Sequence, residues 1–130
     1  MSAEVTVRAA VIAALRSDPP LMGAINALFD GEPKRASAPC AVVGECIAAD
    51  WGAKDVDGRE LRLTIGVRDA GDGPARLGTL IGRIDPAMQA ADASGEGWRI
   101  VSARLIRSRM TQAPDGWRAV VDYRLRVVAV

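Results

Sequence analysis

The sequence has no histidine, one tyrosine and one phenylalanine in 130 residues. Without histidine it lacks the side chain most used as a general base near neutral pH, and the commonest metal ligand. Aromatics make up only 4%, so the core must be aliphatic, built from Val, Leu, Ile and Ala. Cysteine is limited to Cys40 and Cys46, with no histidine or second cysteine pair to complete a zinc site. No run of about 18 apolar residues occurs, so nothing reads as a membrane-spanning helix. The first residues, MSAEVTVRAAVIAALRSD, lack the basic start of a secretory signal. With 17 basic and 16 acidic residues, the chain also lacks the basic excess that gives a dedicated nucleic-acid binder most of its affinity.

What is present is alternation. From Trp117, residues Ala119, Val121, Tyr123, Leu125, Val127 and Ala129 fall on one face of a strand. Arg118, Asp122, Arg124 and Arg126 fall on the other, with Val120 and Val128 as apolar exceptions. Period-two patterning over that length means a sheet with one buried and one mostly wet face. A second strand runs from Trp98 to Met110, joined to the first by a turn at Pro114-Asp115-Gly116. Glu60 to Asp69 alternates in the same way, and Cys40 to Ala48 is a small, apolar strand. Cys40 and Cys46 are expected on one face of it, roughly 20 Å apart, too far to bridge and therefore free thiols.

Ser2 is positioned to cap a helix carrying Val7, Val11, Ala14 and Leu15 on one stripe, and Asp18-Pro19-Pro20 ends it. Leu21 to Phe29 reads as a further helical turn or two, and Glu32 to Pro39 as a loop. After a turn at Gly71–Pro74, Leu77, Leu80, Ile81, Ile84 and Met88 share one helical face. Pro86 is expected to kink that helix or split it near Asp85. The expected class is α+β, one domain over residues 1–130. A four-stranded, mostly antiparallel sheet has helices on one face, in the order α-α-β-β-α-β-β. Its core should contain Leu63, Ile65, Leu80, Ile81, Ile84, Tyr123 and Leu125.

No chemistry-bearing motif emerges. Gly71-Asp72-Gly73 lacks the glycines and lysine of a phosphate loop and reads as a plain turn. Asp55 and Asp57 lack the ligand pattern of a calcium site. Neither a metal nor a cofactor is implied, and no residue is assigned a catalytic role. Function through surface and assembly is the reading that remains. A ligand-binding or nucleic-acid-binding α+β domain without catalysis is the alternative. The candidate surface has two parts. The Asp50–Gly58 connection is polar and too long for a two-residue turn, and with its flank offers Trp51, Lys54, Asp55, Asp57 and Arg59. The last two strands offer Arg107, Arg109, Arg124 and Arg126, in a stretch where seven arginines face two aspartates. Trp51 is suited to an interface anchor or to sealing the core edge, whereas Trp98 and Trp117 read as core.

Taken together, VRAAVIAALRSDPPL, AVVGECIAADWGAKDVDGRELRLTIGVRD, ARLGTLIGRIDPAM and WRIVSARLIRSRMTQAPDGWRAVVDYRLRV resemble the tail-terminator (tail-completion) proteins of long-tailed phages and gene transfer agents. The resemblance covers nearly the whole chain, and DWGAKDVDGRELRLTIGV followed by RD is its most telling part. It implies a small α+β subunit of a ring, usually of six, that caps the tail tube and docks to the head-side connector. The implied partners are further copies of the chain, the major tail (tube) protein and a head-completion (stopper) protein. DNA would pass through the lumen only as cargo, and no membrane is involved. The implied location is the bacterial cytoplasm during assembly, then the head-proximal end of the tail. Relatives often place another strand near Glu32–Pro39.

Overall fold

The structure, a computed structural model, describes residues 2–130. Its elements are α1 (Ala3–Arg16), α2 (Pro19–Met22), β1 (Ala27–Asp30), β2 (Cys40–Asp50), β3 (Gly58–Asp69), α3 (Ala75–Gln89), β4 (Trp98–Ala113) and β5 (Gly116–Ala129). A single 3-10 turn, Ser94–Glu96, leads into β4. The strands form a five-stranded sheet in the order β1-β2-β3-β5-β4. All pairings are antiparallel except β1 with β2.

The class is α+β as expected, but the sheet has five strands rather than four, and the order is α-α-β-β-β-α-β-β. The extra strand lies inside the stretch read as helical. Only Pro19–Met22 is helix, capped by Asp18, whose carboxylate accepts the Leu21 N–H at 3.1 Å. Ala27–Asp30 then runs parallel to Cys40–Val43. A strand of four residues is too short to show a period of its own, and pairing with β2 decides its state. Glu32–Pro39 is loop, as expected. Pro86 neither splits nor ends α3, which is continuous through Gln89. Ile84, Ala87 and Met88 around the proline are buried against the core, which holds the helix together.

The core forms between the sheet and α1 and α3. Leu63, Ile65, Leu80, Ile84, Tyr123 and Leu125 are buried, while Ile81 is half-buried at the margin. Arg83 ties α3 to α2 by two bonds to the Asp18 carboxylate, at 2.6 and 3.2 Å, and its guanidinium holds Asp18 below the usual carboxylate range. Asp69, at the end of β3, is buried and bonded by Arg76 of α3. Its other oxygen makes no well-formed hydrogen bond, but the nearby Ala70 and Gly71 amides help Arg76 keep it ionised.

The two cysteines are free, but they do not share a face. A β-bulge between Val43 and Cys46 inserts one residue against β3. Cys40 therefore pairs with Arg68, on the face without helices, and Cys46 with Leu63, on the core face. Burial pushes both thiols above their usual range.

Tyr123 gives the helix–sheet contact a pH signature. Its hydroxyl donates to the Asp85 carboxylate of α3 at 2.8 Å. Burial first, and this bond second, push the phenol above its usual range. The folded-state pKa is raised, so the stabilisation is fully present below the unfolded value of about 10 and is lost as pH rises beyond it. The chain has a single tyrosine, so its phenolate absorbance reports one site. Phenolate absorbance is expected to appear together with loss of far-UV circular dichroism. Free ionisation near pH 10 with the fold intact would contradict this placement of Tyr123.

Candidate assembly surface

The helices cover one side of the sheet, and the other side is read from the strand register. Partnered residues on neighbouring strands share a face. On the helix-free side, Arg126 lies beside Glu60 and Ser102, and Arg124 beside Arg62 and Arg104. Further along, Asp122 lies beside Thr64 and Arg107, Val120 beside Gly66 and Arg109, and Arg118 beside Arg68 and Thr111. With Arg99 beside Val128, nine arginines thus share one sheet face with two acidic strand residues, Glu60 and Asp122.

Most of these charges are partly answered. Asp122 accepts from Arg107 and from the Thr64 hydroxyl, both at 2.8 Å, and Arg107 is the main reason its carboxyl stays below the usual range. Glu60 takes Arg126 at 3.1 Å and reaches Arg62 at 3.8 Å. Arg68 bonds Glu32. The rung Arg62–Arg124–Arg104 is different: three cations stand side by side with no acid among them, an unfavourable cross-strand arrangement. Arg124 Nε is buried there without a hydrogen-bond partner. Next to it, Thr64, Arg107, Arg109, Val120 and Asp122 line a cleft of about 320 Å³.

The Asp50–Gly58 connection extends the β2–β3 hairpin. Trp51 N–H bonds Gly58 O at 3.1 Å, and Ala53 and Val56 bridge at the tip. Residues 51–57 are all exposed. The Arg126 guanidinium lies 5.2 Å from the centre of the Trp51 ring, so this tryptophan is anchored on its own sheet while keeping one side open. Arg59 bonds Asp57 and lies 5.8 Å from the Trp98 ring. Trp98 is buried as expected, and Trp117 is half-buried. Lys54 and Asp55 sit at the tip with no ion pair among the described residues.

The sequence-derived candidates therefore separate. Arg107, Arg109, Arg124 and Arg126 come together on the helix-free face, and Trp51 joins them through Arg126. Arg59 lies beside Val127, on the helix side, and with Asp57 belongs to the hairpin's base. Sequence reasoning missed Arg62, and it counted Arg104 only among the seven arginines of the last two strands; the two complete the arginine rung. Both alternate with apolar neighbours in their strands, but the rung depends on pairing between residues far apart in sequence. It also missed the exposed apolar side chains of β4: Val101, Leu105, Ile106 and Met110. No cluster of three or more His, Cys, Asp or Glu side chains suited to a metal exists among the described residues. Among the described residues no helix is long and apolar enough to cross a membrane.

A family model described as Tail completion protein gp17 matches residues 9–128. The fold superposes on a chain of the native gene transfer agent (GTA) virion with a TM-score of 0.83, covering 99% of this chain and 100% of that one at 24% identity. It superposes on the gp17 protein of bacteriophage SPP1 with a TM-score of 0.66, covering 95% of this chain and 89% of that one at 16% identity. At these identities the superpositions establish a shared fold. No curated protein shows significant sequence similarity to the chain.

Proposed function

The chain belongs to the gp17 family of tail completion proteins, structural proteins of the virion rather than enzymes, and on that premise we propose that it is the ring-forming subunit that terminates a tail tube. Six copies close the ring, one side of which seats on the last layer of major tail protein. The other side receives the head-completion (stopper) protein, and DNA passes through the lumen as cargo. Assembly takes place in the bacterial cytoplasm, and the finished ring lies at the head-proximal end of a phage or gene-transfer-agent tail. The whole chain, as one domain, serves as the building block.

The observation that carries this reading is the arginine-rich sheet face. A rung of three cations with an unpartnered Arg124 Nε is costly in the isolated subunit and is relieved by carboxylates from a neighbour. Charges of this kind contribute orientation and selectivity more than raw affinity. Trp51, Lys54, Asp55, Asp57 and Arg59 of the hairpin serve the same docking at the sheet's end.

Cells producing particles without this subunit are expected to accumulate filled heads apart from tails that lack a defined end. Arg62→Gln with Arg124→Gln is expected to lower the yield of joined particles at least roughly tenfold while leaving the fold intact. Electron microscopy of the lysate provides the count. Normal numbers of joined particles in the absence of the subunit would overturn the reading. A shift to salt-dependent DNA binding by the isolated subunit, with no assembly defect, would favour a nucleic-acid role instead.

A further inference from the structure

The sheet has a free edge at each end, and the two edges carry opposite charge. At one end, β4 pairs only with β5 among the described residues, and its outer side has no strand partner there, although Gln89 of α3 donates to the Ala103 carbonyl at 2.8 Å and the Trp98 N–H bonds the Ala93 carbonyl at 3.2 Å. It carries Arg99, Arg104, Arg107 and Arg109 and no acidic residue. Val101 is 52% exposed and Leu105 51%. At the other end, β1 covers only Cys40–Val43 of β2. Arg8 then closes the edge by donating to the Val43 and Gly44 carbonyl oxygens. From Glu45 to Asp50 the outer side of β2 is again without a strand partner among the described residues. β2 carries Glu45 and Asp50 and no basic residue, and its Ile47 is 54% exposed.

Long free edges with exposed apolar side chains are a liability in a protein that stays alone. We propose that the free edge of β4 docks, by strand addition, on the Glu45–Asp50 edge of a second copy of this chain, so that the sheets of neighbouring subunits join. The inference rests on the ring reading above and names the contact that closes it. Charge selects the partner edge. Residues 98–130 hold seven basic residues against two acidic, whereas residues 1–97 hold ten basic against fourteen acidic. Two β4 edges brought together would set arginine against arginine, so a symmetric dimer through β4 is disfavoured. A β4 edge on a β2 edge brings an edge whose only charges are arginines to one whose only charges are Glu45 and Asp50, and the contact covers exposed apolar side chains on both, Val101 and Leu105 of β4 and Ile47 of β2. Such a contact uses different patches on each partner, which generates a closed ring when the rotation per subunit closes. Edge backbone groups that have no partner within the subunit gain one at the same time.

A charge exchange tests this. Arg104→Glu with Arg109→Glu makes the β4 edge acidic, and Glu45→Lys with Ala49→Lys makes the β2 edge basic. All four positions are exposed, and none makes an ion pair in the subunit among the described residues. Each double variant alone is expected to self-associate at least roughly a hundredfold more weakly than the wild type, read by mass photometry. An equal mixture of the two is expected to recover the wild-type oligomer mass, with the variants alternating. Either variant reaching the wild-type mass alone would overturn the proposal. So would a mixture that stays monomeric while both variants keep the wild-type unfolding midpoint. Hydrogen exchange on the wild-type oligomer requires no variant: the amides of β4 and of Glu45–Asp50 should be protected on assembly. Unchanged exchange at both edges in a formed oligomer overturns the edge contact and leaves the ring standing. A wild-type chain that remains monomeric while it completes tails overturns the ring itself.

Discussion

Leu125→Ala is expected to lower the unfolding free energy by about 2–5 kcal/mol. Leu125 is 0% exposed and lies mid-strand on β5, paired with Leu61 on one side and Ala103 on the other. It belongs to one cluster with Leu63, Leu80, Ile84, Tyr123 and Val127, contributed by three different elements. Truncation removes the transfer energy of the lost atoms and leaves a cavity, because β5 is held by strands on both sides and cannot collapse inward. At about 4 °C per kcal/mol for a chain of this size, Tm should fall by about 8–20 °C. Urea unfolding with an unchanged slope distinguishes a stability loss from a change in the denatured state. Leu105→Ala, exposed on the edge strand of the single subunit, is the control and should stay within about 0.5 kcal/mol at concentrations where the chain is monomeric. Equal effects at the two positions would refute the assignment of the buried face.

Gly116→Ala is expected to cost at least about 3 kcal/mol, combining backbone strain with overpacking. Gly116 starts β5 at φ 144°, a region that side-chain-bearing residues rarely adopt. A Cβ there would lie 2.0 Å from the Asp69 carbonyl oxygen and 2.8 Å from the Ala70 Cα. Both are backbone atoms, so no rotamer relieves the clash. Asp69 is also fixed by its bond to Arg76, and displacing it would disturb a buried carboxylate. Gly73→Ala, at a site with open space, should change stability by less than about 1 kcal/mol. Thermal unfolding of the pair decides the matter. A Gly116→Ala chain as stable as the wild type would mean that the β4–β5 turn does not approach β3.

The parts of the fold that were legible in the sequence are those with a strong period of their own. The alternation of β5 predicted its buried face from Ala119 to Val127, with Trp117 half-buried and Ala129 exposed at its ends, and α3 was visible from Leu77 to Met88. β1 was not legible, because four residues carry no period and its parallel partner lies beyond the Glu32–Pro39 loop. The cysteine faces were misassigned because strict alternation was extended across Gly44, where the bulge shifts the count by one. Of the kink or split expected at Pro86, the split does not occur, because Ile84, Ala87 and Met88 around it are all buried and hold the helix together. For the surface, arginine enrichment was visible but its arrangement was not. The rung Arg62–Arg124–Arg104 exists only once β3, β4 and β5 are placed side by side. The missing chemistry pointed only to surface and assembly in general; the tail-completion role came from the family resemblance, and no local spacing could have supplied it.

The strand order also sets a schedule for synthesis. β5 stands between β3 and β4 yet follows both in sequence. While a ribosome is still making the chain, β4 emerges with its apolar side chains and has no neighbour until Gly116–Ala129 follows. Leu61 and Leu125, which pair across β3 and β5, are 64 residues apart, so the sheet closes through a long, entropically slow loop. The arginine rung and the finished edge of β4 come into being in that same step. A nascent chain therefore cannot present the arginine rung until translation has passed the last strand.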